Sequence, residues 1–265
     1  MFDALYIGAT GMQAQQFNVE TIANNLANAT TAGFKKGRVG FSDLMGRESS
    51  RLAPPSSDEM GGGVLGAAQR LGAGVAISNL SKVFDSGELR KTEAPLDIAI
   101  TGDGFLEVTM PDGASAYTRG GSLRVNREGL LGTQAGHPLH PAIAIPENVQ
   151  SFVIGPDGRV HVRLPNQTGS VEVGQLQLVR FTAAARLHSK GDNLYNATEG
   201  SGEPIAVRPG EDGAGTLAQG FLEGSNVKMV DEMVSLMLAQ RAYEASVKVV
   251  QAADEMLGLV NNLRK

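Results

Sequence analysis

Cysteine is absent from the 265-residue chain, which excludes disulfides, thiolate metal sites and cysteine nucleophiles together. Charge is scarce as well: 19% of residues are Asp, Glu, Lys or Arg, below the roughly 25% of ordinary soluble domains. The 23 basic and 28 acidic side chains leave a formal net charge of −5. That balance, without basic clusters, argues against nucleic acid as a partner. No apolar run reaches the roughly 18 residues of a membrane-spanning helix. The opening stretch MFDALYIGATGMQAQQ has neither a basic start nor a solid apolar segment, so no cleavable secretory signal is expected. GxSxG, HExxH, DxDxDG and Walker A patterns are missing too. His137 and His140 flank Pro138-Leu139, which keeps them off a regular helix face, and no cysteine or neighbouring acid completes a ligand set. No catalysis, cofactor or metal is therefore expected.

What the chain has in excess is glycine. Its 34 copies are about 13% of the residues against a usual share of roughly 7%. Residues 1–33 read as a helix. Leu5, Met12, Val19 and Leu26 recur every seven positions, with Ala9 and Ala23 on the neighbouring row. Asp3 suits an N-cap and Gly33 a stop. The other face carries amides, Asn24, Asn25 and Asn28 among them, rather than the Lys and Glu of a solvated helix. Such a helix is marginal alone and wants partners on more than one side.

A second helix is expected over 226–265, with Asn226 as N-cap. Met229, Leu236, Tyr243, Val250 and Leu257 keep a seven-residue period, and Ala239, Ser246 and Ala253 follow at a three-residue offset. Period 3.5 is the seam of a left-handed coiled coil. Between the ends, short alternating runs such as SAYTRGGSLRVN and GRVHVRL, with the turn tripeptides Pro111-Asp112-Gly113 and Pro156-Asp157-Gly158, imply a mainly antiparallel β domain. Gly102-Asp103-Gly104 reads as a turn or bulge. Residues 46–74, rich in serine, proline and glycine, read as a connecting segment. The expected class is α+β: residues 1–33 pair with 226–265 as a terminal coiled coil, 34–84 link, and 85–225 form a discontinuous β-rich outer domain.

Several blocks also carry a resemblance. IANNLANATTAGFKK (22–36), PLDIAITGDGF (95–105), AYTRGGSLRVNREGLL (116–131), NLYNATEGSGEP (193–204) and SNVKMVDEMVSLMLAQRAYEASVKVVQAADEML (225–257) resemble the bacterial flagellar rod and hook family. Chain length and the GAGTLAQGFLEGSNV stretch (213–227) are similar to its distal-rod branch, with a proximal rod or hook paralogue as alternative. A soluble β-rich binding domain with helical tails is the rival class. The resemblance implies a non-enzymatic subunit that polymerises helically into a periplasm-spanning drive shaft in the flagellar basal body. It implies export through the flagellar type III apparatus, and proximal rod, hook, and P- and L-ring proteins as neighbours. Subunit contacts are expected at Leu5, Met12, Val19, Asn24, Asn25, Leu26, Asn28, Met229, Leu236, Ala239, Tyr243, Val250, Ala253 and Leu257. Both termini are expected to fold only on assembly, so trypsin should cut monomer near Lys35, Lys36, Lys228 and Arg241.

Overall fold

A computed structural model of the chain describes residues 2–45, 72–165 and 169–262. Two helices flank a mainly antiparallel β region: α1 (Phe2–Ala27) and α2 (Met229–Asn262). The C-terminal end of α1 and the N-terminal end of α2 do not fall at the residues the sequence suggests. Asp3 lies inside the first turn of α1, where its charge suits the helix dipole. The helix stops at Ala27, ahead of a turn closed by Thr31 Oγ1 donating to Asn28 Oδ1 (3.2 Å). Gly33 comes after that turn, with φ +71°. Asn226 is likewise no cap, because its amide is engaged elsewhere, as described below.

The chain divides into two compact units. One comprises residues 1–23, 38–80 and 233–265; the other comprises 24–37 and 81–232. In the first unit, strand Gly37–Met45 pairs with strand Gly72–Lys82, where the sequence suggested only connecting chain. Of the connecting segment expected over 34–84, residues 34–36 and 83–84 are irregular, 37–45 and 72–82 are strand, and 46–71 lie outside the described residues. In this unit α1 and α2 come close at small residues. A Cβ placed on Gly8 stands 2.6 Å from Val250 Cγ2, and one on Gly11 stands 3.4 Å from Ser246 Oγ.

The second unit holds the core. Its five-stranded sheet runs in the order His188–Gly191, Leu194–Asn196, Ser115–Thr118, Leu106–Thr109, Leu139–His140. A three-stranded sheet joins Ser151–Ile154, Arg159–Arg163 and Ser170–Gln175. Every registered strand pair is antiparallel, including Ile98–Thr101 with Thr216–Gln219 and Leu89–Lys91 with Phe221–Glu223. Ile98, Leu106, Val108, Leu131 and Leu178 fill one apolar cluster. Beside it, rings meet edge to face, Tyr117 with Phe181 at 4.8 Å and Phe84 with Phe105 at 5.0 Å. The turns at 111–113 and 156–158 form as expected, with Gly113 and Gly158 at φ near +80°. Gly121 serves closeness rather than turning: a Cβ there would lie 1.5 Å from the Ile98 carbonyl oxygen. Only glycine lets these two backbones meet.

Candidate assembly interface

On α2 the inward side is a narrow row. Ala239 and Ala253 are buried, Leu236, Ser246, Val250 and Leu257 are half-buried, and Tyr243 and Met229 are exposed. A second apolar row faces solvent. Val230 (72% exposed), Met233, Val234, Met237 and Leu238 (66% exposed) cluster within three turns. At 3.6 residues per turn these positions lie away from the 236/239/250 row. A helix apolar on two sides is suited to burial between neighbours. On α1, Leu5, Met12, Val19 and Leu26 are all half-buried, while Ala9 and Ala23 are exposed. Its most buried positions, Gly8, Ala14, Ile22 and Asn25, occupy the adjoining row. The shift has a steric reason: Gly8 and Gly11 admit α2 of the same chain, at Val250 and Ser246, where Leu5 or Met12 would hold it off. Asn24 is exposed, and Asn28 is half-buried with its amide donating to the Asn24 carbonyl (2.9 Å).

Asn25 is different, being buried and fully used within the second unit. Its Nδ2 donates to the Gly37 carbonyl (2.9 Å) and to Glu232 Oε2 (3.3 Å), and its Oδ1 accepts from the Gly37 amide (2.8 Å). Asn226 makes a matching clamp. It accepts from the Lys36 amide (2.9 Å) and donates to the carbonyls of Val83 (2.7 Å) and Asp85 (3.3 Å).

Beneath these amides lies a feature that sequence reasoning missed, a buried trio of charges. Lys35 Nζ contacts Glu223 Oε1 at 2.7 Å, and Arg119 Nε contacts Glu223 Oε2 at 2.9 Å. Lys35 is 0%, and Arg119 and Glu223 are each 2%, exposed. The second cation is balanced by dipoles: Arg119 also donates to the carbonyls of Gly104 (3.1 Å) and Gly102 (3.0 Å), and Lys35 to that of Asp85 (2.7 Å). The Gly87 amide completes the carboxylate's shell at 2.9 Å. Burial pulls the Lys35 ammonium below its ordinary pKa, against the opposing pull of Glu223. For Glu223, burial pushes upward, but hydrogen bonds and charge from Arg119 and Lys35 outweigh it and hold the carboxyl below the usual range. Burial likewise pushes the nearby Tyr195 phenol up to about 12. Lys35 has no exposed surface in the folded chain, so the early tryptic cut expected near it requires this corner to open. No single short motif could have disclosed this trio, since Arg119 and Glu223 are 104 positions apart and Lys35 and Glu223 are 188 apart.

Comparison with known proteins places these segments in a family. Residues 5–35 match the model for "Flagella basal body rod protein", residues 99–162 that for "Flagellar hook protein FlgE/F/G D1 domain", and residues 218–263 that for "Flagellar basal body rod FlgEFG protein C-terminal". Lys35, Arg119 and Glu223 fall one in each matched region. The chain is 41% identical over 267 residues to "Flagellar basal-body rod protein FlgG" of Borreliella burgdorferi, covering 100% of both chains. It is 40% identical to the FlgG of Caulobacter vibrioides, covering 98% of this chain and 99% of that one. Against the FlgF of the same organism identity is 33%, over 98% and 100%. The chain therefore belongs to the flagellar basal-body rod protein family, is FlgG-like over its whole length, and is a structural subunit of the rod rather than an enzyme.

Proposed function

We propose that copies of this chain stack helically into the distal rod, with α1 and α2 pairing as a coiled coil toward the axis and the β domain carried outside. The observation that carries this reading is the second apolar row of α2. Val230, Met233, Val234, Met237 and Leu238 stand unburied in the isolated chain, and a repeated, non-closing contact that covers such a row yields a filament. Leu5, Met12, Val19, Asn24, Leu26, Asn28, Met229 and Tyr243, all half-buried or exposed, are available for the same contacts. Proximal rod, hook, and P- and L-ring proteins are the neighbours this reading names. The flagellar type III apparatus is the export route, without a cleaved signal, and the periplasm is the span crossed. Transmission of torque follows from a stiff continuous polymer.

The higher identity to FlgG than to FlgF favours the distal over the proximal rod. Concentrated protein, followed by light scattering and electron microscopy, should form rods above a threshold concentration. A monomer that persists at every concentration, with both helices ordered, would overturn the reading.

A further inference from the structure

The last turn of α1 and the first turn of α2 belong to the β unit, not to the unit that holds the rest of each helix. Around them the segment 24–37 is fastened at every step. The Gly33 amide donates to the Glu223 carbonyl (2.7 Å) and the Ala32 carbonyl accepts from Asn193 Nδ2 (3.1 Å). Lys82 Nζ lies 4.5 Å over the Phe34 ring and donates to the Lys35 carbonyl (3.0 Å). Lys35 ends in the charge trio, Lys36 is gripped by Asn226, and Gly37 by Asn25. From the other side, the Glu232 carboxylate reaches Asn25 and stands 3.8 Å from Lys36 Nζ. None of these contacts requires a second chain.

We propose that this corner is a preformed seat: it holds the end of α1 and the start of α2 in fixed places in the monomer, and only the remaining lengths of both helices wait for other copies. The inference rests on the assembly reading for what happens to those remaining lengths, but the seat itself is a property of one chain. Its physical basis is cooperative. Helix nucleation is the unfavourable step, and propagation from an existing turn is easy. A helix end already shaped by Asn25, or a start already shaped by Glu232, supplies that turn. It also limits where the two helices can begin, so that neighbouring copies select among few arrangements rather than many.

Hydrogen exchange on full-length monomer, kept below its assembly threshold, tests this directly. Amides of 24–37 and 229–232 should be protected at least a hundredfold more than those of 3–20 and 240–258. Trypsin should cut after Arg241 and Lys248 before the Lys35-Lys36 bond. Equal exchange across all four segments, whether all fast or all slow, overturns the proposal. Lys35→Met supplies the second arm, because the Arg119–Glu223 pair is left to hold the β strands. It should speed exchange of 24–37 at least tenfold while strand 98–101 is unchanged. No change in 24–37 would show that the trio is not the fastener. Rod formation, read separately by microscopy, reports on the assembly reading and is independent of either exchange result.

Discussion

Removing the one anion from the buried trio is the harshest change available at the residue scale. Glu223→Gln keeps shape but leaves Lys35 and Arg119 buried with no carboxylate between them. Breaking a buried pair in this way costs about 3–5 kcal/mol. Lys35→Met should cost less, because the Glu223–Arg119 pair survives it. Urea unfolding of the two variants should give that order, with Glu223→Gln the weaker protein. Acid provides a second reading of the same carboxylate. Its folded pKa is held below the ordinary value, so the folded state takes up this proton less readily than the unfolded chain. The stability it contributes is complete above the usual carboxylate range and is lost as pH falls through the lower folded value. Stability of the natural chain should therefore fall more steeply with acid than that of Glu223→Gln, by about one proton, in circular dichroism melts across that range. An equal slope would show that Glu223 titrates normally.

Elements call for steric rather than electrostatic tests. Gly8→Ala gains about 1 kcal/mol of helix propensity yet drives a methyl to 2.6 Å from Val250 Cγ2, and overpacking costs about 1–3 kcal/mol. Gly8→Ala should weaken the packing of α1 on α2, Gly8→Ala with Val250→Ala should restore it, and Gly11→Ala should be tolerated. Helix content by circular dichroism of assembled protein distinguishes the three. On the outward side, Val234→Asp or Met237→Glu should leave the melting temperature of monomer within about 1 °C while blocking polymer, because surface changes rarely exceed about 0.5 kcal/mol. Loss of monomer stability would instead mean that this row is already covered within the chain. The helices and the turns at 111–113 and 156–158 were legible in the sequence because their determinants are local: repeat spacing, proline and glycine. The strands at 37–45 and 72–82 were not, since glycine and serine near them speak for loops until a partner strand is known. Nor were the innermost row of α1 and the roles of Asn25 and Asn226, which depend on chains folding back from distant positions. Side-chain period told that α1 has an apolar row, but which row turns inward was decided by the small residues beside it.

For the whole molecule, a strain lacking this chain should build basal bodies that stop within the rod, and supplying the chain should restore both the structure and swimming. Arrest at any other stage, seen by microscopy of isolated basal bodies, would move the subunit to a different place along the axis.

Temperature also matters to a polymer held by the outward row of α2. Burial of apolar surface on association carries a negative heat-capacity change, and its contribution weakens on cooling. Rods joined through Val230, Met233, Val234, Met237 and Leu238, all exposed in the single chain, are accordingly least secure in the cold. A filament built this way should shed subunits from its ends near freezing and regain them on warming, as light scattering through a cooling cycle would read, an inversion of what heat does to the β unit that each subunit carries.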